Sequence, residues 1–476
     1  MRSATWLTVT LSLAPLGACS NAVLPGPPEW NRTVVPPTDD VAQSQRAACA
    51  YTAGALPAET QGLSHPVGKD IPIDHFVIMM MENRSFDHYF QKLPDSGITD
   101  VEVAPSTFTN PDLNGDPVAP TRDTQRCFVD TDHGWNSVHR QINGGKMDGF
   151  FVTNDGTHET PLPNMTLDML SGKRGMGYYT GEDLPFAYWV ASQFSIGDHY
   201  HASVPGPTWP NRMYMYAATS RGRTANLPQL DNPNIIVDEL EKRKITWAVY
   251  MTGKLPGLGV ITDRFLYYYS GEGAGTGDNL HVRTIDDFYA EAAAGTLPQV
   301  VFVDPAIGDE NPGQNDEHPP AVMQIGQRLV AQVTDAIIKS PNWSHTAMFV
   351  NYDEHGGLFD HVVPPKACPP DDFAPELTTT DEKGGFDELG VRVPFMVISP
   401  FAKSRFVGHH TYDHTSVLRL VEARFVMPAL SNRDANAEAP WEMFDFVNPP
   451  NKTPPAPPIP TVDDAQIAAC LTTFGK

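Results

Sequence analysis

Near-continuous apolar runs recur along the chain and predict buried strands. The predicted strands are Ile73–Met81, Ile245–Met251, Gln299–Val303, Thr346–Tyr352 and Val393–Ser399. A strand that is apolar on both faces must be covered on both sides. These runs therefore favour an α/β fold with a largely parallel central sheet flanked by helices.

Between the predicted strands, apolar residues recur at helical spacing. One series is Ile325, Leu329, Val333 and Ile337, and a second is Val417, Val421 and Phe425. A further helix is predicted over Asp464–Phe474. The alternation of strands with helices is the order expected of a parallel sheet with helical connections.

Some segments show neither apolar strand runs nor helical spacing of apolar residues, and these segments divide the chain. Residues 1–18 read as a signal peptide, and 19–70 as a Pro- and Ala-rich leader. Residues 71–445 form the predicted main domain, in which 100–190, dense in Gly, Asp and aromatic residues, forms a cap or long inserted loops. Residues 446–476 are a Pro-rich C-terminal tail, with a stiff tether over 446–463.

The N-terminus has the features of an export signal. Arg2 precedes an apolar stretch, Trp6–Leu16, that is too short to span a bilayer. It ends in Leu-Gly-Ala-Cys19, which resembles a bacterial lipobox. We expect an exported protein, in the periplasm, on the outer membrane or outside the cell. Lipidation of Cys19 would attach it to a membrane, and ordinary cleavage after a small residue is the alternative.

The cysteine content indicates possible disulfides, and the charge limits the possible partners. Five cysteines are present, and if Cys19 is lipidated the remaining even number suggests two disulfides with three possible connectivities. The formal net charge is −24, from 57 acidic and 33 basic residues. Such a surface repels polyanions, so no nucleic-acid partner is expected, while zwitterionic membranes are tolerated.

Oxygen-rich pairs follow two of the predicted strands. Glu82-Asn83 comes after the first, and Asp353-Glu354 comes after Thr346–Tyr352. Carboxyl ends of parallel strands meet at one edge of a sheet, where active sites collect. Carboxylates crowded there need a cation, and these hard oxygen ligands suit Ca²⁺, Mg²⁺ or Mn²⁺, with Zn²⁺ also open. The alternative is that the acids cap the following helices.

The segment Val204-Pro-Gly-Pro-Thr208-Trp-Pro-Asn-Arg212 is the other unusual feature. Its prolines stiffen the backbone and place Thr208 where a helix could begin. A hydroxyl there lies near free backbone N–H groups that can hold a phosphate. A threonine needs activation to be a nucleophile, and metal coordination would provide it. The structural alternative is a helix N-cap.

Several motifs together resemble the bacterial phosphoesterase family that joins phospholipases C and acid phosphatase A. They occur in the family's order over roughly residues 70–430. They are Glu82-Asn-Arg-Ser-Phe-Asp-His-Tyr-Phe90, Asp130-Thr-Asp-His133-Gly-Trp135, Asn143-Gly-Gly-Lys-Met-Asp-Gly-Phe150, Pro205–Arg212, Glu317-His-Pro-Pro320, Tyr352-Asp-Glu-His-Gly-Gly357 and Asp360-His-Val-Val-Pro-Pro365.

The resemblance implies an alkaline-phosphatase-like fold and a phosphoester hydrolase. It implies that one divalent metal ion is bound by Glu82, Asn83, Asp353, Glu354 and the oxygen of Thr208. That oxygen would also be the nucleophile, passing through a phosphothreonine. His133 and His318 fall on the family's active-site histidines, and would hold phosphate oxygens or protonate the leaving group.

The substrate class stays open between two enzymes and a non-enzyme. Family phospholipases C tend to carry threonine at the nucleophile position, so Thr208 favours phosphodiesters such as phosphatidylcholine. An acid phosphatase acting on monoesters is the first alternative, and a secreted binding protein without catalysis is the second. Tyr178, Tyr179 and Trp209 could form a choline cage or simply pack in the core.

Overall fold

A central sheet organises the computed structural model, which describes residues 24–157, 166, 168–227, 233–253, 281–307 and 311–474. The signal-peptide and Cys19 predictions lie outside these residues. The strands are β1 His75–Met81, β2 Asn110–Pro111, β3 Pro117–Val118, β4 Thr121–Arg122, β5 Gly177–Tyr178, β6 Ser195–Gly197, β7 Trp247–Met251, β8 Val282–Thr284, β9 Val300–Asp304, β10 Thr346–Tyr352, β11 Phe395–Ile398 and β12 Phe406–Gly408.

Eight of these strands form the main sheet, in the order β12-β6-β11-β10-β1-β9-β7-β8. β11 pairs antiparallel with both of its neighbours, and every other pairing is parallel. The predicted largely parallel sheet is confirmed. Each predicted strand is present with its ends shifted by no more than two residues. The remaining strands make two small sheets, β2-β3 and β4-β5.

Helices cover both faces of the sheet and connect its strands. They are α1 Asp39–Ala47, α2 Pro57–Thr60, α3 Phe86–Phe90, α4 Trp135–Ile142, α5 Phe150–Asn154, α6 Pro185–Gln193, α7 Thr208–Ala217, α8 Ile236–Arg243, α9 Ile285–Ala294, α10 Met323–Lys339, α11 His414–Phe425, α12 Asn432–Ala435 and α13 Asp464–Phe474. Short 3-10 turns occur at Pro28–Asn31, Gly68–Asp70, Leu93–Ser96, Asn143–Gly145, Asp168–Leu170, Gly172–Met176, Trp343–His345 and Trp441–Met443.

The core lies between the sheet and these helices, as the apolar periodicity predicts. In α10 the predicted series of apolar residues is buried, together with Val330 and Thr334. α11 begins at a capping aspartate, because the Asp413 carboxylate accepts a hydrogen bond of 3.0 Å from the Thr415 backbone. Among the described residues, no helix is long and apolar enough to cross a membrane.

Part of the segment 100–190 packs around a second, smaller apolar cluster. Phe150 and Phe151 lie at its centre, and Phe359 and Val391 join it from the main domain. Irregular loops with two short helices, α4 and α5, surround it. This segment therefore lies against the main domain, and it carries Asp130 and His133 to the carboxyl edge of the sheet.

Two disulfides hold the ends of the chain against the domain, as the cysteine count predicts. Cys49 pairs with Cys368, and Cys127 pairs with Cys470 on α13. The Pro-rich tether over 446–463 has neither helix nor strand, but it lies on the surface instead of standing free. Asn451 is buried there, and its side chain donates to the Ala402 carbonyl at 2.8 Å.

Candidate active site

The two oxygen-rich pairs lie side by side at the carboxyl edge of the sheet. β1 and β10 pair in parallel with Met81 opposite Tyr352. The residues that follow each strand are therefore Glu82-Asn83 and Asp353-Glu354, all fully or almost fully buried. The sequence places them there because parallel neighbours end at the same edge.

Backbone donors fix the orientation of the second pair. One oxygen of Asp353, Oδ1, accepts hydrogen bonds from the backbone N–H groups of Asn83, at 2.9 Å, and Glu354, at 2.8 Å. Oε2 of Glu354 accepts from the Gly356 backbone at 2.7 Å. Each carboxylate thus has one oxygen held by the backbone, which leaves the other oxygen for a different partner.

A stiff turn delivers Thr208 to the same edge. α7 begins at Thr208 after the extended Pro207, and Asn211 ties the turn together from within the helix. The Asn211 amide nitrogen donates to the carbonyls of Gly206, at 2.9 Å, and Pro207, at 3.1 Å. Its carbonyl oxygen accepts from the Val204 backbone at 3.0 Å.

The Thr208 hydroxyl is directed at a carboxylate and not at its own helix. Thr208 is the first residue of α7, and the helix has no side-chain cap. Instead, Thr208 Oγ1 donates to Glu82 Oε2 at 3.3 Å, and the side chain is almost completely buried. Thr208 is therefore not the N-cap of α7, and the structural alternative is wrong.

The two predicted histidines lie next to the acidic pairs. Nε2 of His133 lies 3.3 Å from Nδ2 of Asn83 and 3.8 Å from Oε1 of Glu354. His318 contacts His133 edge to face, with ring centroids 5.6 Å apart. Asp130 lies between them, with its carboxylate oxygens 3.8 Å from Nδ1 of His133 and 3.9 Å from Nε2 of His318. All residues predicted for the site are thus brought together.

Burial dominates the electrostatics of the acidic pairs. Burial, and after it repulsion from Glu82, raises the pKa of Asp353 to about 7. Burial also raises the pKa of Glu354 well above its ordinary value, with Asp353 acting in the same direction. Crowded, desolvated carboxylates of this kind are stabilised in the charged form by a cation.

The unpaired oxygens at this edge fit such a cation. Asn83 Oδ1, Asp353 Oδ2 and Glu354 Oε1 are buried, and none has a hydrogen-bond partner among the described residues. Buried polar atoms are normally paired, and these are carboxylate and amide oxygens, the ligands of hard divalent cations. With Glu82 Oε2 and Thr208 Oγ1 they make a donor set that could hold one metal ion.

In the part of the chain that the structure describes, two other groups could also hold a metal by the spacing of their ligand atoms. Asp130, His133 and His318 form one, at the site itself. Asp87, Asp360 and His361 form the other, where Arg392 already donates to both carboxylates, at 3.1 Å to Asp87 and 2.9 Å to Asp360. The guanidinium supplies the positive charge in that second group, so it reads as a structural network.

Three neighbouring charged residues have no role indicated by the sequence patterns. Arg212 is fully buried, and Asp304 and Asp316 lie at the same edge of the sheet. Asp304 ends β9, the neighbour of β1, which is the signal that could have found it. Burial raises the pKa of Asp304 to about 7. Arg212 follows Thr208 by four residues, the spacing that places both on one helix face.

The aromatic residues considered for a choline cage are dispersed. Tyr179 is fully buried, with its ring 4.7 Å from His88 and its hydroxyl donating to the Gln125 carbonyl at 2.9 Å. The ring of Tyr178 lies under Lys92. Trp209 alone adjoins Thr208, half-buried at the start of α7. Tyr179 therefore packs in the core, as the alternative to a cage predicts.

Taken with the sheet, this edge is that of an enzyme that hydrolyses phosphoric esters. The chain belongs to the Phosphoesterase family, whose model matches residues 73–428. The family expected from the sequence motifs is thereby confirmed, and the match covers every residue predicted for the site.

The curated relatives agree with this assignment. Phospholipase C B of Mycobacterium tuberculosis is 33% identical, over 88% of this chain and 88% of its own. Non-specific phospholipase C6 of Arabidopsis thaliana is 30% identical, over 76% of this chain and 70% of its own. Among solved structures, the lipoteichoic acid synthase LtaP of Listeria monocytogenes is 9% identical with a TM-score of 0.36, covering 84% of this chain and 82% of that one.

Proposed function

We propose that the chain is a phospholipase C-like enzyme that hydrolyses phosphodiesters such as phosphatidylcholine through a phosphothreonine intermediate. The observation that carries this is the hydrogen bond from Thr208 Oγ1 to Glu82 Oε2, at an edge where Asn83, Asp353 and Glu354 have unpaired buried oxygens. The names of the relatives, phospholipases C from bacteria and a plant, support the substrate class.

Thr208 supplies the nucleophile in this mechanism. Its hydroxyl, which donates to Glu82 Oε2, loses its proton to solvent, and Oγ1 attacks phosphorus in line with the leaving oxygen. Thr208 lies at the N-terminal end of α7, and the positive end of the helix dipole there can offset charge on the phosphoryl oxygens. Bond formation at Oγ1 breaks the bond to the alcohol, which for phosphatidylcholine is diacylglycerol.

The histidines complete the two displacements. Nδ1 of His133 is 2.7 Å from the Thr131 carbonyl and Nδ1 of His318 is 2.6 Å from the Pro319 carbonyl, so each Nδ1 carries a proton and donates it. A ring that carries a second proton, on Nε2, can donate a hydrogen bond to a phosphoryl oxygen or transfer that proton to the leaving group. One histidine protonates the departing alcohol. Water then hydrolyses the phosphothreonine, which for phosphatidylcholine still carries choline as a second ester, so that phosphocholine is released and Thr208 is regenerated.

One divalent cation is the cofactor in this proposal. Its ligands would be Glu82, Asn83, Asp353, Glu354 and Thr208, and its identity is open among Ca²⁺, Mg²⁺, Mn²⁺ and Zn²⁺. When bound, it would supply Lewis-acid chemistry, lowering the pKa of the threonine hydroxyl and balancing charge on the phosphoryl group.

The test compares three substrates on purified protein: phosphatidylcholine in mixed micelles, p-nitrophenylphosphorylcholine and p-nitrophenyl phosphate. Thr208→Ala is assayed beside the wild type. The matched control is Thr334→Ala, since Thr334 is a buried threonine on α10 whose hydroxyl makes only a 3.5 Å contact with the Met348 sulfur. We expect Thr208→Ala to lose at least about 10³-fold in kcat and the control to lose little.

Each outcome separates the candidate functions. Turnover of both choline diesters above the monoester supports the phospholipase. Turnover of the monoester alone identifies an acid phosphatase, and wild-type activity in Thr208→Ala overturns the nucleophile. A stable protein inactive on all three substrates, with each cation added in turn, would favour the non-catalytic binding protein.

Export is part of the same proposal. The two disulfides support folding in an oxidising compartment. Lipidation at Cys19 would add peripheral attachment to a membrane, near a zwitterionic phospholipid substrate. Fractionation of cells that express the wild type or Cys19→Ser tests the lipidation. If Cys19 is lipidated, the wild type should be in the membrane fraction and Cys19→Ser in the soluble exported fraction. Without lipidation, both proteins should be in the same fraction.

A further inference from the structure

Arg212 lies on the nucleophile helix directly behind the proposed metal ligands. It follows Thr208 by one helical turn, and its side chain is fully buried. Its Nε donates to Glu82 Oε1 at 2.8 Å, and a second guanidinium nitrogen donates to the same oxygen. That second nitrogen also donates to the Met80 carbonyl at 3.3 Å, which ties the guanidinium to the end of β1.

These contacts divide the two oxygens of Glu82 between two partners. Oε1 takes both donors of Arg212, while Oε2 accepts from Thr208 Oγ1 at 3.3 Å. A carboxylate held by two N–H donors at one oxygen has little freedom to rotate. Oε2 is therefore kept toward the nucleophile and the unpaired oxygens of the site.

Arg212 also supplies the positive charge next to the acidic pairs. Its Nε lies 3.9 Å from Asp353 Oδ2, an oxygen without a hydrogen-bond partner. Glu82, Asp353 and Glu354 bring three carboxylates to one buried edge. Asp304 and Asp316 lie at the same edge, so one guanidinium offsets only part of the negative charge. Charge in a buried site acts strongly because it is poorly screened.

We propose that Arg212 is a positioning residue with two effects: it directs Glu82 Oε2 at Thr208, and its positive charge lowers the affinity of the site for cations. The first effect rests on the proposed function, and the second depends only on charge. Loss of Arg212 should therefore lower turnover while it tightens cation binding. Loss of a residue that served only folding would weaken turnover and cation binding together.

The experiment measures three properties of Arg212→Gln and Arg212→Lys. These are kcat and KM on p-nitrophenylphosphorylcholine, the affinities for Ca²⁺ and Mn²⁺ by calorimetric titration of the chelated protein, and the melting temperature. The matched control is Arg419→Gln, because Arg419 is equally buried and pairs with Glu422 at 2.6 Å on α11.

We expect Arg212→Gln to lower kcat by about 10²-fold with KM changed less than about threefold, and to tighten cation binding about fivefold or more. Arg212→Lys keeps the charge but not the two-point contact, so cation affinity stays near wild type while kcat falls about tenfold. Arg419→Gln should lower the melting temperature without altering kcat or cation affinity.

Other results overturn the proposal. Wild-type kcat in Arg212→Lys would exclude positioning, and it decides the question even if Arg212→Gln does not fold. Weaker cation binding in a folded Arg212→Gln would exclude the charge effect. If the wild type hydrolyses no diester, the proposed function fails, but the titrations still test whether Arg212 limits cation binding.

Discussion

The rings of His133 and His318 meet edge to face with their centroids 5.6 Å apart, although 185 residues of sequence separate them. Each ring donates from Nδ1 to a backbone carbonyl close in sequence, that of Thr131 or Pro319. Both rings are therefore oriented by a backbone contact at Nδ1, which makes Nε2 the nitrogen that would act on a phosphoryl group or its leaving oxygen.

Replacement of either histidine should slow the first displacement. We expect His133→Gln and His318→Gln to lower kcat by about 10²- to 10⁴-fold, the usual range for general acid–base groups. The one that protonates the alcohol should matter less for p-nitrophenol, a good leaving group, than for an aliphatic alcohol. Steady-state rates on both kinds of ester identify it.

The control for these variants is His345→Gln. His345 is exposed and precedes β10, at the opposite edge of the sheet from the site. Its substitution should leave kcat unchanged for every ester. Equal losses for good and poor leaving groups in both active-site variants would show that neither histidine is the acid.

Removal of the cation or of a ligand should abolish activity and lower stability. In Asp353→Asn, an oxygen without a hydrogen-bond partner loses its charge. A cation at about 100 times its dissociation constant adds about 2.7 kcal/mol to the free energy of unfolding, and the variant should lose that increment. Denaturant unfolding with and without EDTA measures it.

Asp335→Asn is the matched acid for comparison. Asp335 pairs with Lys339 at 2.6 Å on the outer face of α10, and its removal should leave the response to EDTA intact. An Asp353→Asn protein that gained as much stability from the cation as the wild type would exclude Asp353 as a ligand.

The fold and part of the site could be predicted because both follow from local patterns. Apolar runs predict β1, β7, β9, β10 and β11, where at least four consecutive buried residues stand out against their flanks. β6, β8 and β12 have three residues each, too few for a run to be distinct. The acids after β1 and β10 were predictable as neighbours because parallel strands end together.

The rest of the site depends on contacts that no sequence pattern displays. Arg212 binds Glu82 across 130 residues of sequence, and which oxygen it takes is set by the packing of α7 on β1. Asp130 reaches both histidines only because the segment 100–190 folds against the main domain. The disulfide count was predictable, but the pairing of Cys49 with Cys368 required the fold.

Gly356 should not tolerate a side chain. Its φ is +64°, and a Cβ atom would lie 2.5 Å from the Asn83 carbonyl oxygen and 2.7 Å from the Asn83 Cβ. Gly356→Ala should therefore lower the free energy of unfolding by about 2–4 kcal/mol, from backbone strain and overpacking together. It should also displace Asn83 and reduce cation affinity, as titration would measure.

Gly115→Ala separates the two contributions. Gly115 has a φ of +87° but nothing within 4 Å of its Cβ position, so only the strain cost of about 1 kcal/mol applies. Urea unfolding of both variants gives the difference due to the collision with Asn83. Equal losses would mean that the loop after Asp353-Glu354 moves aside without cost.

The contribution of His361 to stability should depend on pH. Burial opposes a charge on His361, but its hydrogen bond to Asp87 at 2.6 Å and the charges of Asp87 and Asp360 outweigh burial and raise its pKa. A pKa raised by folding gives stability that is complete below the unfolded value near 6.5 and is lost as pH rises through the folded value. The cost of His361→Gln should therefore be larger at about pH 5.5 than at about pH 9.

His139 gives the opposite sign and serves as the control. Burial lowers its pKa, so the folded state excludes the proton and loses stability as pH falls below the unfolded value. The cost of His139→Gln should then be smaller at about pH 5.5 than at about pH 9. Urea unfolding of both variants and the wild type at the two pH values measures these costs. Parallel trends in the two variants would contradict the assignment, because a general effect of pH on the protein acts on both alike.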